Sequence, residues 1–138
     1  MATIQENQEE IIDEFGLFDD WQDRYAHIID LGRSLGPINP AYKTDANKVR
    51  GCQSQVWLHA EPREGVLHLE AESDALIVQG LIAMVLRVYN DQPAQAILDG
   101  APTFLTRIGL DRHLSTSRNN GLQAMLQTIR HHATAMEA

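Results

Sequence analysis

Residues 56–71 read VWLHAEPREGVLHLEA, and this stretch decides the fold. Apolar and polar residues alternate on both sides of a central EPREG segment, whose proline and glycine suit a turn. The pattern predicts two strands, residues 56–60 and 66–71, that pair as an antiparallel hairpin with Glu61 and Val66 flanking the turn as partners. One face of this hairpin is apolar and is expected to face the core.

The predicted pairing gives the two faces different chemistry. Leu58 lies opposite Leu69 on the apolar face, and His59 lies opposite His68 on the other face. Two imidazoles are an incomplete metal site, and no third ligand is anchored nearby in the sequence. A solvated histidine pair is therefore favoured over a metal centre.

Helical periodicity surrounds the hairpin on both sides. It predicts helices over residues 5–15 and 21–35, a strongly apolar helix over residues 75–89 with Ser73 or Asp74 as its cap, short helices after Pro93 and Pro102, and a last helix capped by Ser115 or Thr116. Gly80, inside the apolar helix, costs about 1 kcal/mol relative to alanine and predicts a close approach of another backbone. Residues 38–48 have no apolar period and are predicted to form a loop.

The sequence thus predicts an α+β fold in which a small antiparallel sheet of two or three strands packs against helices. The chain of 138 residues is the size of one domain, residues 1–138, with a single hydrophobic core.

Composition limits the function classes. The formal net charge of −8 argues against a nucleic-acid partner and offers nothing to anionic lipid. The longest apolar stretch is too short to span a bilayer, and the polar, acidic residues after Met1 do not resemble a secretory signal. We expect a soluble protein of the reducing cytoplasm.

The one cysteine, Cys52, is the main candidate for chemistry. A single thiol cannot form an internal disulfide or a cysteine-rich metal site, but a thiolate is a good nucleophile. Gly51 before it permits unusual backbone conformations, and Lys48 and Arg50 would favour the thiolate if they point towards it. The alternative is that Cys52 is a small hydrophobe of the core.

Two further features bear on this candidate. Cys52 with a histidine would make a hydrolase or transferase pair, although no spacing identifies which of the six histidines it would use. Arg118 follows the predicted start of the last helix, where a cation opposes the helix macrodipole, and this indicates a function for it.

Three motifs resemble the SufE family of sulfur-acceptor proteins. They are VRGCQSQVW at residues 49–57, SDA at 73–75 continuing through GLIA at 80–83, and LSTSRNNGL at 114–122 followed by the spacing of Met125 and Ile129. The likeness covers nearly the whole chain, and the family has the same order of helices, loop and hairpin. Only residues 38–47 match loosely.

The resemblance implies a function. Family members take sulfane sulfur from a PLP-dependent cysteine desulfurase as a cysteine persulfide, here on Cys52, stimulate that enzyme, and pass the sulfur to a SufBCD-type iron–sulfur scaffold. PLP belongs to the desulfurase, so this chain is expected to carry no cofactor and no metal of its own. Arg118 matches an arginine that the family keeps at the desulfurase interface, and QSQVW favours a SufS-type donor.

The same resemblance bears on the fold and assembly. The family shares its fold with the IscU-type scaffold, which needs several ligating cysteines, so one cysteine indicates a carrier. A homodimer rests on base rates for soluble proteins alone. The readings left open are a stand-alone Cys-His hydrolase or transferase and a non-catalytic adaptor in which Cys52 fills the core.

Overall fold

A computed structural model describes residues 2–137. This part of the chain contains α1 (Ile4–Phe15), α2 (Trp21–Leu35), β1 (Val56–Arg63), β2 (Val66–Ser73), α3 (Leu76–Tyr89), α4 (Ala94–Asp99), α5 (Thr103–Ile108), α6 (Leu110–His113) and α7 (Thr116–Glu137). The two strands form one antiparallel sheet that packs against helices, so the α+β prediction is confirmed. The four-residue α6 was not expected from the sequence.

The hairpin register differs from the predicted one by two residues. Arg63, and not Glu61, pairs with Val66 across a turn made by Glu64 and Gly65 alone. Both turn residues have positive φ, 47° and 86°, which is the geometry that matches the twist of a two-residue hairpin. The predicted turn was wrong because Pro62, taken as a turn residue, instead lies in β1 opposite Leu67.

A shift of two residues leaves every side chain on its predicted face but changes its partner. His59 therefore lies opposite Glu70, and His68 lies opposite Glu61, so the predicted His59–His68 pair is wrong. His68 instead places Nδ1 2.7 Å from Oδ1 of Asp91.

The segment between α2 and β1 covers the second face of the hairpin. Tyr42 stacks on His59 with ring centroids 3.5 Å apart and an interplanar angle of 7°. Lys43 lies 4.7 Å from the ring centroid of Trp57 and donates a 2.7 Å hydrogen bond to Glu72. Trp57 is consequently buried. The predicted loop over residues 38–48 is thus a packed strap that contains two short 3-10 turns, Pro40–Tyr42 and Asp45–Asn47.

Helix α3 is the central helix, as its composition predicted. Most of its residues are buried, and it contacts α1, α2, β2 and α7. Its closest neighbour is α2, because Gly80 of α3 meets Gly32 of α2 backbone to backbone. A Cβ added at Gly80 would lie 2.7 Å from the carbonyl carbon of Ile28 and closer still to its oxygen, which confirms the expected close approach.

The start of α3 differs from the prediction. The residue before its first turn is Ala75, and no side chain caps the helix. Ser73 accepts a hydrogen bond from the Ala75 backbone, and Asp74 binds Gln55. Both candidate caps are therefore used to join the hairpin to its neighbours. In contrast, Ser115 caps α7 as predicted, because its Oγ accepts a 3.2 Å hydrogen bond from the Arg118 backbone.

One hydrophobic core connects the hairpin to the helices. Its largest fully buried apolar side chains come from each of the helices α1–α7 and from β2, and they are Phe15, Phe104, Ile11, Ile28, Leu67, Leu69, Ile82, Met84, Ile97, Leu110 and Ile129. No helix within residues 2–137 is both long and apolar enough to cross a membrane.

The contact between α2 and α3 leads to a stability prediction. Gly80→Ala should lower the free energy of unfolding by at least about 3 kcal/mol, because the new methyl group would overlap backbone that cannot rotate away. Urea unfolding followed by circular dichroism measures the change. Gly16→Ala is the matched control: its φ of −64° suits alanine, so it should change stability by less than about 0.5 kcal/mol. Equal effects of the two substitutions would contradict the close crossing.

Candidate functional site

Cys52 lies in a short loop that leads into β1 and whose first residues pair with the start of that strand. The backbone N–H of Val49 donates a 2.8 Å hydrogen bond to the carbonyl of Val56, and Lys48 forms a single bridge with Trp57. Val49 is buried and anchors the near end of the loop. These contacts close the base of the loop and leave residues 50–55 outside the strands.

The far end of the loop is tied to the end of the hairpin. Oδ1 of Asp74 accepts a 3.0 Å hydrogen bond from the Gln55 backbone, and the Asp74 backbone donates a 3.3 Å bond to the Gln55 carbonyl. Asp74 therefore fixes where the loop meets β1. This is a positioning role that the sequence did not reveal, because the same residue also fits a helix cap.

Gly51 gives the loop its turn. Its φ of +92° is in the left-handed region that other residues rarely adopt, although a Cβ there would meet Ala124 at an ordinary 3.5 Å. Glycine is therefore required by the backbone conformation and not by lack of space. The turn directs the next side chain, Cys52, towards α7.

The thiol of Cys52 rests against the backbone of α7 at Gly121. Sγ donates a long 3.6 Å hydrogen bond to the Gly121 carbonyl, and a Cβ on Gly121 would lie 3.3 Å from Sγ. The thiol thus contacts the backbone of Gly121 directly, and we call this contact surface the seat of the thiol. The sequence offered one signal for this role: Gly121 lies inside the predicted last helix, where glycine lowers helix stability by about 1 kcal/mol relative to alanine.

A cavity of about 440 Å³ opens beside the thiol, between the loop, α3 and the first turns of α7. Five apolar residues line one part of it, namely Val56, Val78, Leu81, Leu122 and Met125. The polar lining consists of Gln53, Ser54, Ser115, Ser117 and Arg118. We call this space the Cys52 cavity. Among its lining residues only Arg118 is charged.

Burial controls the ionisation of the thiol. Cys52 is half-buried, and this burial raises the pKa of its thiol, with no offset from Lys48 or Arg50. Because folding raises this pKa, ionisation of the thiol disfavours the folded state. The protonated thiol makes its full contribution to stability below the unfolded pKa, and this contribution is lost as the pH rises through the folded pKa. At neutral pH the resting group is the neutral thiol.

The three predicted cations, Lys48, Arg50 and Arg118, differ in whether they line the Cys52 cavity. Nζ of Lys48 lies 3.2 Å from Oδ1 of Asp45, and Arg50 is exposed outside the cavity lining. Arg118 does line the cavity, is exposed, and makes no side-chain hydrogen bond or ion pair with any residue between 2 and 137. Of the three, only Arg118 shares a space with the thiol.

None of the six histidines, all within residues 2–137, lines the Cys52 cavity. The stack with Tyr42 occupies His59, and Asp91 binds His68. His113 stacks on Trp21 with centroids 3.8 Å apart. The structure thus gives no imidazole the position of a general base for Cys52.

Comparison with known proteins shows the family of this chain. A protein-family model for SufE, described as an Fe-S metabolism associated domain, matches residues 9–133. The chain belongs to the SufE family. Membership associates it with iron–sulfur metabolism.

Individual relatives extend the match over most of the chain. An uncharacterized SufE-like protein of Rhizobium etli is 43% identical over 136 residues, which cover 94% of this chain and 91% of the relative. One of Rhizobium meliloti is 43% identical over 131 residues, covering 91% and 93%.

A solved structure shares the fold. The solution structure of a hypothetical protein from Thermus thermophilus superimposes with a TM-score of 0.78 at 18% identity, covering 96% of this chain and 97% of that one. This likeness supports the α+β fold.

The seat of the thiol can be tested by adding one methyl group. Gly121→Ala should displace Sγ from the α7 backbone towards solvent, lower the thiol pKa, and raise the rate of iodoacetamide alkylation at pH 7.5 about threefold. The pH profile of alkylation should shift to lower pH by the same cause.

A matched control separates this effect from a change in the helix. Asn120→Ala, at the exposed neighbouring position of α7, should leave the alkylation profile unchanged. Identical pH profiles for Gly121→Ala and the wild type would show that Gly121 does not seat the thiol.

Proposed function

We propose that this protein is a sulfur carrier whose Cys52 accepts sulfane sulfur from the persulfide of a PLP-dependent cysteine desulfurase and passes it to an iron–sulfur scaffold. The observation that carries the proposal is the seat of the only thiol against Gly121 beside a cavity, in a member of the SufE family. Cys52 is the carrier, and Gly51 and Gly121 position it.

The transfer step needs no external oxidant or reductant. The Cys52 thiolate attacks the outer sulfur of the donor persulfide, and a new S–S bond forms as the donor S–S bond breaks. The products are Cys52–S–SH and the donor's cysteine thiolate. Removal of sulfur from the donor frees its active cysteine for the next cycle, which is how the carrier would stimulate the desulfurase.

The Cys52 cavity suits the loaded state. A persulfide is readily lost to small reductants, and a half-buried sulfur is less accessible to them. The cavity has room for the second sulfur beside Sγ, and Val78 and Leu81 on its α3 wall offer apolar contact.

Protection of the loaded sulfur requires Cys52 to be buried, whereas sulfur transfer from a protein donor requires it to be exposed. The thiol must leave the cavity to meet a protein donor, and only residues 50–54 of the loop lie between its anchored ends at Val49 and Gln55. Gly51 is the natural hinge, because glycine accepts the φ change. Docking would then both expose the thiol and allow it to ionise.

Exposed cations near Cys52 support a docking role on an otherwise acidic chain. Arg50 and Arg118 carry no partner within residues 2–137, and Lys48 has only the exposed Asp45. We infer that this basic surface meets a SufS-type desulfurase, with Arg118 as its principal contact. A SufBCD-type scaffold would be the acceptor, and a reducing cytoplasm would keep the thiol free.

The alternatives differ in what they require. A stand-alone Cys-His hydrolase needs an imidazole beside Cys52, and none lines the cavity. An adaptor with a structural cysteine needs no accessible thiol, whereas Cys52 is half-buried beside open space. No observation favours the hydrolase, whereas the burial of Cys52 fits both the adaptor and the carrier, so the Cys52→Ser assay below separates these two.

Replacement of the carrier sulfur tests the proposal. With a cysteine desulfurase and cysteine, the wild type should gain about 32 Da on Cys52, the mass of one sulfur atom, and should stimulate sulfide release. Cys52→Ser should show neither effect, because its hydroxyl cannot form a persulfide. Peptide mass spectrometry and a sulfide assay make the two measurements.

Ser54→Ala is the matched control, because Ser54 lies in the same loop and lines the same cavity without supplying the sulfur. It should load and stimulate like the wild type. Full stimulation by Cys52→Ser would instead establish the adaptor, and turnover of a thioester by the wild type without any partner would establish the hydrolase.

A further inference from the structure

The Cys52 cavity is much larger than its proposed cargo. Its volume is about 440 Å³, whereas one water molecule, of about a sulfur atom's size, takes a share of about 30 Å³ in the liquid. The loaded Cys52 would therefore fill only a small part of it. The remaining space has the size of a small organic molecule.

The lining has the chemistry of a site for a small anion with an apolar part. Five apolar side chains line the wall, and the hydroxyls of Ser115 and Ser117 lie with Arg118 at the start of α7. A guanidinium binds a carboxylate through two parallel hydrogen bonds, and this one has no competing acidic partner within residues 2–137.

We propose that the Cys52 cavity binds a low-molecular-weight persulfide that carries a carboxylate, such as cysteine persulfide, and that Cys52 takes sulfur from it without a desulfurase. Arg118 binds the carboxylate, and the apolar wall contacts the carbon chain. This inference rests on the proposed carrier function of Cys52 and extends it to a second class of donor.

The step is balanced. The Cys52 thiolate attacks the outer sulfur of R–S–SH, the S–S bond of the donor breaks, and the bond of Cys52–S–SH forms. The leaving R–S⁻ takes up a proton equivalent to the one that Cys52 released on ionising. No oxidant or reductant is consumed, and the small thiol R–SH is the only by-product.

The test uses the intact protein without any desulfurase. The donors are L-cysteine persulfide, freshly made from cystine and sulfide, and the persulfide of cysteine methyl ester, made in the same way from cystine dimethyl ester. Quenched mass spectrometry follows the gain of about 32 Da on Cys52 against donor concentration. Sulfide alone is the blank, because it holds no sulfane sulfur.

The inference predicts that loading by the carboxylate donor saturates. Its half-saturating concentration should be at least about tenfold lower than that of the ester, because one charge-assisted hydrogen bond contributes about that factor to affinity. Arg118→Ala should raise half-saturation for the carboxylate donor by about the same factor and leave the ester unchanged. Arg118→Lys should lie between. Arg112→Ala, an exposed arginine outside the cavity lining, is the matched control and should behave as wild type.

Loading that rises linearly with donor concentration, or equal half-saturation for the two donors, would overturn the inference. So would an Arg118→Ala profile identical to that of the wild type. Desulfurase-dependent loading, measured in parallel on the same preparations, distinguishes the two proposals. If only the desulfurase loads Cys52, the second donor class is wrong and the carrier function stands; if neither donor loads it, both are wrong.

Discussion

The contact between Gly32 of α2 and Gly80 of α3 is the constraint on which the rest of the structure depends. No side chain separates the two backbones there, and most residues of α3 are buried. On either side of Gly80 in sequence, Val78 and Leu81 line the Cys52 cavity. The same helix begins where β2 ends, so its depth also fixes the hairpin and, through Asp74, the loop of the thiol.

Glycine recurs where the thiol is positioned, for two different physical reasons. Gly51 supplies a left-handed backbone angle, and Gly121 supplies the absence of a Cβ under Sγ. Together they place one sulfur against a helix backbone, where burial keeps it neutral and less reactive. In the proposed function, reaction with a protein donor would depend on a movement of the loop. Such a device suits a carrier, whose loaded sulfur must survive between two partners.

Helices and strand faces were predictable because hydrophobic periodicity reports burial directly. The apolar helix of residues 75–89, the short helices after Pro93 and Pro102, and the Ser115 cap all followed from local pattern. The register of the hairpin was not predictable, because a shift of two residues leaves the alternation of apolar and polar residues unchanged. Nothing local distinguished a four-residue turn over residues 62–65 from the two-residue turn at Glu64 and Gly65, so the predicted partners of His59 and His68 were wrong.

The sequence by itself determined the class of the fold, the central position of α3, the candidate reactive atom and the family likeness, since each of these depends on residue types at fixed spacing. Only the tertiary structure decided that Cys52 rests on Gly121 and that Arg118 alone of the three predicted cations lines its cavity. Residues 52 and 121 are far apart in the chain, and no local pattern carries information about a contact that folding creates. The pKa of the thiol belongs to the same class, because burial is a property of the packed molecule.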